Sequence, residues 1–119
     1  MHNCDPISIY RTPKNANKDF ELENGPNPEM QYEEGSNGKI YFGEESVAGE
    51  YQGRGTFAPG MIRYDMHPSF LKKFGDTAKR YDWQGPGGSP RIEFEIPFGR
   101  LEEFNSLTLK RTWLPMKGR

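Results

Sequence analysis

Three stretches of the chain alternate apolar and polar residues with a period of two: Ile7-Ser8-Ile9-Tyr10-Arg11, Ile62-Arg63-Tyr64-Asp65-Met66 and Ile92-Glu93-Phe94-Glu95-Ile96. That period predicts half-buried strands, each with one face in a core. Arg11 is in phase with Ile7 and Ile9, so it points to the apolar side and must find an anion or several acceptors there. Lys39 to Phe42 and Leu107 to Trp113 read as two further strands, about five in all. Two copies of a strand-then-helix unit stand out. The strand ending at Met66 precedes Phe70-Leu71-Lys72-Lys73-Phe74, and the strand ending at Ile96 precedes Leu101-Glu102-Glu103-Phe104. A Leu and a Phe three apart set the buried side of each short helix. Ser46 is placed to cap another short helix, Val47 to Gln52. Residues 14 to 38 and Tyr81 to Pro90 read as long loops, the second glycine-rich and flanked by Tyr81 and Trp83.

The whole chain, residues 1–119, is therefore one α+β domain: a twisted antiparallel or mixed sheet with short helices and long loops. Glycine (14) and proline (10) argue against a helical bundle, and the eight Phe, six Tyr and two Trp point to a core built on rings. The total charge of −1 does not favour general electrostatic binding of nucleic acid. Five basic and ten acidic residues before position 60, against eleven and seven after it, would orient an anionic ligand towards the second half. Cys4 is the single cysteine and His2 and His67 the only histidines, too few for a structural zinc site or a disulfide framework. No apolar run has the ~20 residues that span a bilayer, and no signal peptide opens the chain. No dinucleotide or Walker loop stands between a strand and a helix.

Arg91-Ile92-Glu93-Phe94-Glu95-Ile96-Pro97 is the most informative stretch. With Ile92, Phe94 and Ile96 inward, Glu93 and Glu95 share the other face, roughly 6.5–7 Å apart.

In order and spacing, most of the chain resembles the small mono-ADP-ribosyltransferase toxin domains that end polymorphic, Rhs-type effectors. An arginine after an aromatic ends the first strand (Tyr10-Arg11), and a middle strand and helix run from Gly38 to Tyr51. A loop at Tyr81 to Pro90 leads into Glu93, followed by Pro97 and Gly99, as in the family's glutamate strand. The resemblance implies that Glu93, with Glu95 beside it, is catalytic and that Arg11 holds the NAD pyrophosphate. It also implies that Tyr10, Tyr41, Phe42, Ser46 and Tyr51 line the NAD site, and that Tyr81 and Trp83 read the acceptor. NAD would be a substrate and no metal would be needed. Arg91 stands where many members carry a second acidic or amide residue, and Phe42-Gly43-Glu44-Glu45-Ser46 replaces their Ser-Thr-Ser. Both departures imply a divergent member whose acceptor is not arginine.

The expected partners are a cognate immunity protein and a protein or RNA acceptor in the target-cell cytoplasm. The domain would be delivered there as part of a larger effector, without membrane insertion. Two other readings fit the residues. A metal-independent ribonuclease would use His67, Arg63, Arg91 and Glu93 as acid, base and phosphate-binding cation. A non-enzymatic immunity or adaptor module would act by surface complementarity alone.

Overall fold

A computed structural model describes residues 5–27, 38–82 and 90–117, except for the side chains of residues 80–82, 90 and 91. The strands are β1 (Ile7–Arg11), β2 (Lys39–Gly43), β3 (Gly60–Met66), β4 (Ala78–Asp82), β5 (Pro90–Pro97) and β6 (Thr108–Pro115). The α-helices are α1 (Lys18–Asn24), α2 (Glu45–Gly49), α3 (Phe70–Phe74) and α4 (Leu101–Ser106). The strands form one antiparallel sheet in the order β4-β5-β2-β1-β3-β6, confirming the α+β class.

The register explains how period-two patterning builds a core. Ile9 faces Tyr64, and Ile7 faces Met66. Phe42 faces Phe94, and Ile40 faces Ile96. All eight therefore share one face, and α1, α3 and α4 cover it. Each α-helix has seven residues or fewer, too short to persist alone, so burial holds it in place. The rings interlock: Phe42 lies 4.6 Å from Phe104 and 5.0 Å edge-on from Tyr64, and Phe70 lies 5.1 Å from Phe94 and 5.3 Å from Phe74. Fully burying each such ring contributes about 1.5–3 kcal/mol. The two strand-then-helix units end on this face together, with Phe70 and Phe104 5.9 Å apart.

The sheet has a seam. β1 meets β3 over five residue pairs and β2 meets β5 over five, but β1 and β2 share one, Tyr10 opposite Gly43. After Gly43 the chain turns into α2, and beyond Arg11 lies Thr12-Pro13, where proline has no N–H to give a ladder. Two three-stranded halves are thus joined at Tyr10 and Gly43. The second face of the sheet carries α2 over this seam. A Cβ on Gly43 would sit 3.4 Å from Val47, and Thr12 Oγ1 donates to the Ala48 carbonyl at 2.6 Å.

Several expectations are corrected. Residues 14 to 38 include α1, preceded by a 3₁₀ turn at Asn15–Asn17. The side chain that α1 buries completely is Glu21, so its sequence lacks an apolar stripe. The described residues form six strands, because Ala78-Lys79-Arg80-Tyr81-Asp82 pairs with β5 despite having no alternation. Tyr81 therefore belongs to β4 rather than to a loop. In α3 the buried pair is Phe70 and Phe74, four apart, while Leu71 is half exposed. Ile92 has the expected phase but is 43% exposed. Ser46 does not cap its helix. It lies inside the first turn of α2, whose N-cap is Glu44 and makes no side-chain capping bond.

Candidate functional site

Arg11 and Glu93 stand on strands separated only by β2, yet their side chains leave opposite faces of the sheet. Arg11 is opposite Ile62 and 5.9 Å from the centre of the Phe42 ring, which fixes it on the core face. There its Nε donates to Glu21 Oε2 at 2.8 Å, and the Tyr64 hydroxyl donates to the same oxygen at 2.6 Å. Glu21 is fully buried, and Arg11 retains 12% side-chain exposure. The anion that the phase of Arg11 demanded is therefore supplied by α1. Burial first, then the charge and hydrogen bond of Glu21, push the Tyr64 phenol well above its usual range, so it stays a donor.

Glu93 follows the other phase. Its row on the second face runs across all six strands: Lys79, Glu93, Gly43, Tyr10, Arg63 and Thr112, each opposite the next. Glu93 and Tyr10 flank Gly43, with the first turn of α2 above it. The start of this stretch of β5 is pinned to the β2–α2 corner, because the Ile92 N–H donates to Glu44 Oε2 at 3.1 Å. Tyr10 is partly buried, and its phenol is raised by burial first and then by the charge of Glu45; Arg63 lowers it and Asp65 raises it. Glu95 lies opposite Tyr41 and is ion-paired with Lys39 at 3.3 Å, its side chain 13% exposed.

Beside this row, Ser8 Oγ donates to Asp65 Oδ1 at 2.8 Å, and the same oxygen lies 3.3 Å from Arg63 Nε. The structure thus brings Tyr10, Tyr41, Glu93, Glu95 and Arg63 onto one face, with Ser46 exposed on the α2 turn beside it. It does not bring Arg11 or Phe42 there. Phe42 is a fully buried core ring. Tyr51 is exposed past the end of α2 and packs on Phe57 at 5.4 Å. Trp83, Cys4, His2 and the side chains of Tyr81 and Arg91 lie outside the described residues.

His67 is exposed just past the end of β3, where its Nδ1 meets Ser69 Oγ at 2.9 Å and the Ser69 N–H at 3.1 Å. That arrangement closes a turn, four residues along the strand from Arg63. Sequence reasoning missed Glu21, Glu44, Asp65 and Ser8 as members of the two networks. Asp65 was the most accessible of these, since it holds the polar phase of the Ile62-Tyr64-Met66 alternation. Among the described residues no group of three or more His, Cys, Asp or Glu is arranged to hold a metal ion, and no helix is long and apolar enough to cross a membrane. Comparison with protein-family models, curated proteins and solved structures gave no match to this chain.

Proposed function

We propose that the chain transfers ADP-ribose from NAD to a macromolecular acceptor and works as a toxin domain in competition between bacteria. The observation that carries this reading is the seam. The segments bearing Tyr10-Arg11, Phe42-Gly43-Glu44-Glu45-Ser46 and Glu93 occupy three consecutive strands, and Glu93 and Tyr10 flank Gly43 in one row. Breaking the bond between nicotinamide and ribose develops oxocarbenium-like charge on the sugar. The Glu93 carboxylate supplies the opposite charge and accepts a ribose hydroxyl. Neutral nicotinamide leaves, an acceptor nucleophile bonds to the anomeric carbon, and the proton of the nucleophile passes to solvent or base. Glu95, engaged by Lys39, holds the strand's second carboxylate beside the reaction. A cell that makes such a domain needs a cognate inhibitor protein covering this face.

The test is incubation of the purified chain with labelled NAD and a bacterial lysate. Wild type should label a protein or RNA acceptor, and Glu93→Gln should lower the rate by roughly 100- to 1,000-fold with an unchanged melting temperature. Full labelling by Glu93→Gln would refute the assignment. RNA breakdown without NAD would move the chain to the nuclease class, against which stands the turn-closing role of His67. Neither signal would leave a binding module.

A further inference from the structure

β6 is the last strand on its side of the sheet, and no strand among the described residues pairs with its outer edge. We propose that this edge takes up an extended, carboxylate-bearing segment of another protein as an added strand. The edge lies four strand spacings from β5, about 19 Å, and the inference does not depend on the transfer reading.

The ladder with β3 fixes which backbone groups face outward. Just past the Gly60–Pro115 pair, the Met116 N–H donates to the Pro59 carbonyl at 2.9 Å. Bonded and non-bonded pairs alternate in an antiparallel ladder, so Thr112 and Leu114 turn their N–H and C=O groups to β3. Arg111 and Trp113 turn theirs outward, and Pro115 adds an outward carbonyl. A row of this kind holds an extended peptide through main-chain bonds, and the side chains beside it set the choice of peptide. The window is bounded at both ends. Leu109 is the extra residue of a bulge, since Asp65 pairs with Lys110 and Met66 with Thr108. At the other end Pro115 has no N–H. Bulges and prolines are devices that limit how much of an edge stays open.

Charge selects the occupant. From Leu107 to Lys117 the chain carries Lys110, Arg111 and Lys117 and no carboxylate. On the core side of β6 lies α1, with its exposed Asp19 and Glu23. There the Arg111 guanidinium donates to the Leu22 and Glu23 carbonyls, and Lys18 stands 4.9 Å from the Trp113 ring. On the other side Lys110 is exposed, and Asp65 opposite it already meets Ser8 and Arg63. A second copy laid on this edge would set three cations against three, which cross-strand pairing penalises. A strand that places carboxylates beside Lys110 turns the same pairing favourable.

The probe is an acetylated, amidated octapeptide that alternates glutamate and valine, with amide exchange followed in the wild-type chain. It should slow exchange at Arg111 and Trp113 by about tenfold, while Thr112 and Leu114, already bonded to β3, change far less. A lysine–valine peptide of the same length should bind at least about fivefold more weakly, and Lys110→Gln should weaken the glutamate–valine peptide by about two- to fivefold. Unchanged exchange at Arg111 and Trp113 with about 2 mM peptide would overturn the proposal, as would equal binding of the lysine–valine peptide. Slowing at the same two amides as the chain alone is concentrated, with a dimer in sedimentation, would give the edge to a second copy and overturn it equally. The wild-type exchange pattern does not depend on any variant folding, and none of these outcomes alters the Glu93 test.

Discussion

Replacing Arg11 by methionine tests whether this arginine is part of the frame rather than of the ligand site. The substitution keeps a long apolar stem against Phe42 but removes the donor at 2.8 Å from Glu21. Glu21 is then a fully buried carboxylate with the Tyr64 hydroxyl as its remaining donor on Oε2, and its Oε1 already has no hydrogen-bond partner. Breaking a buried pair on one side costs about 3–5 kcal/mol, a large share of the ~5–15 kcal/mol that holds a domain of this size. The melting temperature should fall by about 12–20 °C. Urea unfolding followed by tryptophan fluorescence gives the free energy directly. Arg11→Met/Glu21→Met, which replaces both charges by apolar groups, should recover most of the loss, because the uncompensated charge and not the missing contact is the main penalty. A loss under about 1 kcal/mol in the single variant, or a double variant as unstable as the sum of the two singles, would refute the reasoning. A single variant too unstable to purify would still leave the double variant to measure.

Two other expectations concern stability. Tyr64→Phe removes a hydrogen bond to a charged carboxylate and should cost about 1.5–3 kcal/mol near neutral pH. Because the Tyr64 phenol is raised in the folded state above the usual tyrosine value of about 10, the native protein binds this proton more tightly than the unfolded chain. Its contribution is therefore fully present below pH 10 and is lost as pH climbs towards the folded value. Melting curves between pH 8 and 11 should fall less steeply for Tyr64→Phe than for wild type, and parallel slopes would count against the buried phenol. Gly60→Ala places a Cβ 2.5 Å from the Trp113 ring and 2.7 Å from the Leu114 carbonyl oxygen. It should destabilise by about 1–3 kcal/mol in the same urea assay, and a neutral result would mean that β3 and β6 are not so closely apposed there.

Alternation alone placed β1, β3 and β5 and chose their inward residues, since a period of two admits one amphipathic solution per strand. Ile9, Tyr64, Phe94 and Ile96 are buried as their phase requires. The same rule put Arg11 inward and Glu93 outward, so their separation onto two faces was already implicit in the chain. What it could not convey was the partner of each. Glu21 satisfies Arg11 from a helix that has no apolar stripe, because the residue it buries is charged and is compensated there by Arg11 and the Tyr64 hydroxyl. β4 is held by the ladder it shares with β5 rather than by its own pattern.

Local sequence thus determined which face each strand residue takes, the ring-built core and the carboxylate-bearing strand. The tertiary structure alone decided the strand order, the seam at Tyr10 and Gly43, and the row that sets Arg63 on the side of Glu93. The physical reason is range. Phase along a strand is fixed by neighbours two residues apart, whereas the row joins residues 10, 43, 63, 79, 93 and 112, whose meeting depends on long-range pairing that no short window contains.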